Sequence, residues 1–67
     1  MSYSKLRGRI REKFGTQEDF ATAMQKSPTT LSSKLNGKTE WTRQEIETAC
    51  RLLDIPLAEA PAYFFAL

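Results

Sequence analysis

The feature that most constrains this chain is the close spacing of its helix start and stop signals. Gly15 ends one apolar-periodic segment, Ser27 and Pro28 begin another, and Gly37 follows that one. Serine caps the free N–H groups of a helix start, proline fits the first helical position, and glycine commonly ends a helix. The spacing therefore predicts several short helices.

The first helix is predicted over residues 3–14, where apolar side chains recur at helical spacing. They are Tyr3, Leu6, Ile10 and Phe14. The same segment also alternates polar and apolar residues, as a strand would. Glu12 and Lys13 break that alternation and no hairpin partner is evident, so a helix is the preferred interpretation.

Two further helices are predicted within residues 16–36. Thr16 caps the first of them, which ends near Met24. The next helix runs from about Pro28 to Leu35, and its only large apolar residues are Leu31 and Leu35. Its remaining side chains are small and polar, apart from one lysine, so its apolar stripe is narrow.

A fourth helix is predicted over residues 43–53, with Thr42 and Glu45 as a capping box. Its core-facing stripe consists of Ile46, Ala49, Cys50 and Leu53. The cysteine is expected to pack as a small buried hydrophobic side chain. Residues 57–60 are predicted to form one more turn that Pro61 interrupts, and an apolar tail follows at 61–67.

The composition argues against an enzyme or a metal protein. The 67 residues include one cysteine and no histidine, so a zinc site of the usual kind is excluded. No glycine-rich phosphate loop or apolar carboxylate pair occurs, and the acidic residues are expected to be solvated. We expect a single domain over residues 1–67 with no catalytic residue, no cofactor and no metal. A lone thiol and the absence of a long apolar run favour the cytoplasm and no membrane contact.

Positive charge is concentrated near the N-terminus. The net charge is +2, but residues 5–13 hold five basic residues and one acid, a local charge of +4. Two interpretations are open: a surface that binds a polyanion, or a solvated helix face.

The segment 16–38 carries short motifs at fixed spacing. They are Thr16-Gln17-Glu18 opening the second helix, Ala21 within it, Ser27 before the third helix, and Asn36-Gly37-Lys38 after it. With these residues the chain resembles the lambda Cro and repressor family of phage regulators. Residues 31–38 and the downstream stretch 41–46 are similar to a subset of small phage-borne members. The similarity covers roughly residues 5–57.

The resemblance implies an all-α, lambda-repressor-like helix-turn-helix domain of four helices plus a short C-terminal helix or turn. Its third helix would enter the DNA major groove while the second supports it. The positions facing or flanking base edges would be Pro28, Thr29, Thr30, Ser33 and Lys34. The positions on the DNA backbone would be Gln17, Asn36, Lys38 and Arg43, to which Arg9 and Lys13 would add phosphate contacts.

The chain departs from the family pattern at two places. Gln25 stands in the turn where the family usually has glycine. Either it adopts a left-handed backbone, at a cost of roughly 1 kcal/mol, or the turn is rearranged. The third helix also lacks the side chains that make bidentate base contacts, so direct readout would be weaker, or shared with lysine and with DNA shape.

The apolar tail and the single tryptophan allow two interpretations. They either fold back over the first and fourth helices, with the tryptophan between the third and fourth, or they form an intermolecular patch. Both arrangements can also hold together, with Phe64 inside and Leu67 at an interface. The candidate protein-interface residues are Trp41, Tyr63, Phe64, Phe65 and Leu67.

Together these features predict a sequence-specific DNA-binding transcriptional regulator of the Cro-like repressor type. It would bind double-stranded DNA as a homodimer, in the cytoplasm of a bacterial host and associated with the nucleoid. The alternative is an antirepressor, a protein-interaction module on the same fold that binds a repressor protein. The uncharacteristic third helix and the apolar tail motivate that alternative.

Overall fold

The computed structural model describes residues 3–65, which form five α-helices and one 3-10 helix and contain no strand. The helices are α1 (Ser4–Phe14), α2 (Gln17–Ala23), α3 (Pro28–Leu35), α4 (Arg43–Leu53), the 3-10 helix (Leu57–Glu59) and α5 (Ala60–Phe64). The predicted all-α class, with four helices followed by a short C-terminal helix, is confirmed. No helix within residues 3–65 is long and apolar enough to cross a membrane.

Side-chain caps fix where the helices begin. The hydroxyls of Thr16 and Ser27 each accept a 3.1 Å hydrogen bond from the backbone N–H three residues further on. At the start of α4, the Thr42 hydroxyl accepts from the Glu45 N–H at 3.1 Å, and the Glu45 carboxylate accepts from the Thr42 N–H at 2.8 Å. The predicted caps, including the capping box, are confirmed.

Left-handed backbone conformations mark several helix ends. Gly15 and Gly37 have φ values of 84° and 77°, which glycine adopts without a steric penalty. Asp54, after α4, has a φ of 55°. Gln25, in the turn between α2 and α3, has a φ of 61°, so the left-handed conformation is the one of the two alternatives that it adopts. Its Cβ costs roughly 1 kcal/mol relative to glycine.

One apolar core joins the helices. Its fully buried large side chains are Leu6, Ile10, Phe20, Leu31, Leu35, Leu53 and Cys50. These include the narrow stripe of α3 and two of the four residues of the predicted stripe of α4, Cys50 and Leu53. Ala49 of that stripe is also buried, and Ile46 is half-buried. Burial raises the pKa of the Cys50 thiol, as expected for a cysteine that packs as a hydrophobic group.

The C-terminal segment folds back onto α1 and α4, as one of the two interpretations predicted. The predicted turn at residues 57–60 is present as the 3-10 helix Leu57–Glu59. Pro61 does not interrupt the helical backbone, so that part of the prediction is wrong. Pro61 lies in the first turn of α5, where a missing N–H costs nothing. Phe64 is 2% exposed within the core, whereas Phe65 is 62% exposed. Leu67 lies outside the described residues.

Candidate functional site around the third helix

The outward side of α3 is uncharged. We define the outer face of α3 by its exposed or half-buried positions: Pro28, Thr29, Thr30, Ser32 and Ser33. Four of the five predicted base-edge residues lie on this face. The one charged residue of α3, Lys34, is buried. The helix therefore presents small neutral side chains to solvent.

Some hydroxyls on this face are already engaged within the chain. The Ser27 hydroxyl donates to the Thr30 hydroxyl at 2.9 Å, and the Asn36 side-chain amide donates to the Ser32 hydroxyl at 3.4 Å. The Thr29 hydroxyl is exposed and has no hydrogen-bond partner among residues 3–65. Thr29 is therefore the hydroxyl best placed to contact another molecule.

Lys34 does not flank the outer face as predicted. It is 6% exposed, and its Nζ lies 3.0 Å from the Glu45 carboxylate of α4 and 3.0 Å from the Glu40 carbonyl oxygen. The resemblance to the lambda Cro and repressor family placed Lys34 beside the base-edge positions, and α3 alone offers it no partner. Glu45, in the first turn of α4, supplies one, so Lys34 stabilises the fold from inside.

Glu45 is the centre of this buried ion network. Its carboxylate lies 3.0 Å from Lys34 and 3.1 Å from Lys26, and it is 8% exposed. Burial alone would raise its pKa. The Thr42 N–H hydrogen bond and the two lysines outweigh burial and lower the pKa of Glu45 from 4.5 to about 2. The expectation that every acidic residue is solvated is wrong for Glu45.

Two of the predicted DNA-backbone residues remain exposed beside α3 and α4. Lys38 is exposed and has no ion pair among residues 3–65. The Arg43 side chain is 91% exposed and pairs with Glu47 at 3.2 Å. Both side chains could reach another molecule at little cost, because an exposed ion pair contributes little to stability.

The other two predicted backbone residues are more constrained. Asn36 is exposed, but its Oδ1 accepts a hydrogen bond of 2.9 Å from Arg7. Gln17 is half-buried at the start of α2, and the exposed carboxylates of Glu18 and Asp19 follow it in the same turn. A phosphate approaching this helix start would meet those two negative charges.

Arg9 and Lys13 lie at the end of α4. Arg9 donates to the carbonyl oxygens of Leu53 and Asp54 at 2.8 and 3.1 Å, and Lys13 pairs with the Asp54 carboxylate at 3.0 Å. Lys13 lowers the pKa of Asp54. Positive groups at a helix C-terminus stabilise its free carbonyls. These two residues, predicted to contact phosphates, thus have a structural role within the chain.

Sequence reasoning missed the role of Arg7. Its guanidinium donates to the Leu35 carbonyl oxygen and to the Asn36 side chain, both at 2.9 Å. It thereby ties α1 to the end of α3. No local sequence signal identifies this contact, because its partners lie 28 and 29 residues away.

The candidate interface residues of the tail divide between the core and the surface. Phe64 is buried, and Trp41 packs edge-to-face on it with ring centroids 5.0 Å apart, not simply between α3 and α4 as predicted. The indole N–H of Trp41 is buried without an acceptor among residues 3–65. Tyr63 is half-buried, with the Lys5 Nζ 4.8 Å from its ring centroid. Phe65 is exposed, as is Leu57, which the sequence analysis had not singled out.

The described residues contain no group of three or more histidine, cysteine, aspartate or glutamate side chains that could hold a metal ion.

Among solved structures, the chain is similar to the "solution structure of the modulator of repression (MOR) of the temperate bacteriophage TP901-1 from Lactococcus lactis". The identity is 47%, the TM-score is 0.87, and the match covers 96% of this chain and 86% of that one.

The comparison with curated proteins gives no match. A family model described as "Protein of unknown function (DUF739)" matches residues 1–66. This match spans nearly the whole chain, so it extends over both the α3 region and the C-terminal helix. The chain therefore belongs to the DUF739 family.

Proposed function

We propose that the chain is a phage-type regulator that modulates repression by binding a repressor protein. The outer face of α3 would form part of the contact. The 47% identity to a phage modulator of repression, over 96% of the chain, supports this class of function. This was the alternative interpretation of the sequence, and the structure now gives it a physical argument.

The uncharged outer face of α3 is the observation that carries the proposal. Affinity for DNA comes largely from lysine and arginine neutralising phosphates. The centre of a protein interface, in contrast, is depleted of charged side chains. Here Lys34 pairs internally with Glu45, and five small neutral residues remain outside. Such a face suits close packing against another protein better than contact with a polyanion.

The engagement of other basic residues supports the same conclusion. Arg9 and Lys13 are bound to the end of α4, and Arg7 is bound to the end of α3. Moving any of them to a phosphate would break contacts that hold helices together. The basic N-terminal segment therefore contributes less to polyanion binding than its charge of +4 suggests.

Sequence-specific DNA binding is the second candidate. It is favoured by the order α2–turn–α3, which matches a helix-turn-helix, and by the resemblance to the lambda Cro and repressor family. The exposed cations of Lys38 and Arg43 lie just after α3 and at the start of α4, where backbone contacts would be needed. A homodimer on two half-sites belongs to this second candidate.

Two parallel measurements separate the candidates. The purified chain is titrated by calorimetry with the repressor encoded in the same genome, at near-physiological salt. The same preparation is used to select ligands from random duplex DNA. We expect a stoichiometric complex with the repressor and no enriched DNA motif. An enriched two-fold symmetric motif without repressor binding would reject the proposal and establish the second candidate.

A further inference from the structure

Gly8 lies in the middle of α1, where the fold does not require glycine. Its backbone is not among the positive-φ glycines, which are Gly15 and Gly37. A Cβ atom built on Gly8 meets nothing within 4 Å. Glycine in a helix interior is less favourable than alanine. The residue therefore weakens α1 without any compensating contact among residues 3–65.

A shallow cavity lies directly over this glycine. It measures about 250 Å³ and is lined by Ser4, Arg7, Gly8 and Arg11. We call it the α1 groove. A second cavity of about 160 Å³ adjoins it and shares Arg7 and Arg11. Both are smaller than the roughly 300–1,000 Å³ of small-molecule sites, so each fits one or two side chains of a partner.

The α1 groove carries two arginines, and no carboxylate lines it among residues 3–65. The Arg7 guanidinium is held at the groove by the end of α3. Arg11 is exposed and forms no ion pair among residues 3–65. Five other basic residues do form such pairs: Arg9, Lys13, Lys26, Lys34 and Arg43. Arg11 is thus a cation without an ion-pair partner among residues 3–65, about one helical turn from the uncovered backbone at Gly8.

We propose that the α1 groove docks a carboxylate-bearing segment of the partner protein. Arg11 binds the carboxylate through its planar guanidinium, which matches a carboxylate in a two-point contact. Gly8 lets the partner's backbone approach α1 closely, since it has no side chain of its own and no described residue other than its neighbours in α1 lies within 4 Å of its Cβ position. This inference rests on the proposed function, because it takes the partner to be the repressor.

A carboxylate fits this surface better than a nucleic-acid phosphate. Glu18 and Asp19 are exposed in the first turn of α2, next to Gln17, which lines the adjoining cavity. A DNA strand crossing the groove would carry further phosphates past these two acids. A single carboxylate on a protein segment would not extend that far.

The first test uses the repressor encoded in the same genome and two charge reversals. Arg11→Glu should weaken repressor binding roughly tenfold or more, as expected for an interfacial charge pair. Arg51→Glu is the matched control, since Arg51 is also exposed without an ion pair among residues 3–65. Equal affinities for the wild type and Arg11→Glu would overturn the inference while leaving the proposed function intact.

Gly8→Ala gives an independent readout. Alanine favours the helix and meets no atom within 4 Å, so the thermal midpoint of unfolding should rise. If a partner packs against Gly8, the same methyl group should weaken binding. A variant that is more stable and binds the repressor as tightly as the wild type would contradict close packing at this position.

A second probe tests the groove whether or not the repressor binds. The ¹⁵N-labelled chain is titrated with an acetylated Glu-Ala-rich helical peptide and, separately, with random duplex DNA. Peptide-induced shifts should concentrate at Gly8 and Arg11 and disappear in Arg11→Gln but not in Arg51→Gln. Shifts spread over all basic residues, or a groove that responds to DNA only, would overturn the assignment. Localised peptide shifts without repressor binding would preserve an acid-binding groove and reject the proposed function.

Discussion

The two sides of α3 differ in where they place charge. The inner side holds Lys34 against Glu45 at 3.0 Å, with Lys26 on the other carboxylate oxygen at 3.1 Å. The outer face carries hydroxyls, methyl groups and a proline ring, and no charge. Soluble domains usually have the reverse arrangement, since charged side chains are rarely buried unless they are paired.

This difference shows that three charged residues, Lys26, Lys34 and Glu45, link α2, α3 and α4. The buried network joins the turn after α2, the last turn of α3 and the first turn of α4. It fixes the position of α3 relative to its neighbours while leaving the outer face free of charge. A partner can then approach that face without desolvating an ion.

The largest expected change in the free energy of unfolding comes from removing the charge of Glu45, at the centre of the buried ion network. Glu45→Gln retains a side chain that can accept the Thr42 N–H, but it leaves Lys34 buried without a counter-charge. We expect the free energy of unfolding to fall by about 3–5 kcal/mol. Urea denaturation followed by circular dichroism measures the change.

Glu47→Gln is the matched control, because the Arg43–Glu47 pair is exposed. Its effect on the free energy of unfolding should stay within about 0.5 kcal/mol. If the two substitutions had equal effects, the contrast between the inner side and the surface would be wrong.

Lowering the pH should reduce the free energy of unfolding by nearly as much as Glu45→Gln does, because it protonates Glu45. The pKa of Glu45 is lowered from 4.5 to about 2 in the folded chain. A lowered folded-state pKa adds stability that is complete above pH 4.5 and is lost as the pH falls towards 2. The contribution is roughly 3 kcal/mol. Denaturation of the wild type and Glu45→Gln between pH 2 and 7 should show curves that converge in acid. A constant difference would exclude Glu45 as the titrating group.

A smaller effect is expected at the turn that sets the entry angle of α3. Gln25→Gly removes a Cβ from a left-handed residue with a φ of 61°. The folded state should gain roughly 1 kcal/mol, reduced by the greater freedom of glycine in the unfolded chain. Thermal unfolding measures the balance. A clear loss of stability would mean that the left-handed conformation carries little strain.

The smallest effect on stability is expected on the outer face of α3. Thr29→Ala should change the free energy of unfolding by no more than about 0.5 kcal/mol, because the side chain is exposed. Thr29→Glu should fold equally well but weaken repressor binding by roughly tenfold, because it buries an unpaired charge in the contact. Calorimetry with both variants tests this. Undiminished binding by Thr29→Glu would remove the outer face from the interface.

Local signals in the sequence predicted the helices well. Ser27 and the Thr42–Glu45 capping box act within three residues, so their contacts follow from adjacent sequence. The resemblance, confined to one turn, marked position 25 as a place for left-handed backbone, but only the structure decides between that conformation and a rearranged turn. Pro61 was misjudged because the same residue can end one helix or begin the next.

The candidate site was harder to predict because its decisive contacts are distant in sequence. Lys34 faces inward only because α4 brings Glu45 to it. The sequence identified Glu45 as part of the capping box. No neighbouring residue indicated that Glu45 is also the counter-ion of two lysines. Arg9 reaches a carbonyl 44 residues away. In the sequence alone these cations therefore look free to bind a ligand. In the folded chain they are engaged in internal contacts.

The contact between Trp41 and Phe64 gives the chain an intrinsic fluorescence probe. Trp41 is the only tryptophan, and its half-buried ring lies edge-on to the buried ring of α5. Its fluorescence therefore reports on the docking of the last helix, whereas circular dichroism reports on all helices together. Release of α5 would shift the emission to longer wavelength before most of the helical signal is lost. Detachment of one short helix can thus be followed in solution without any added label.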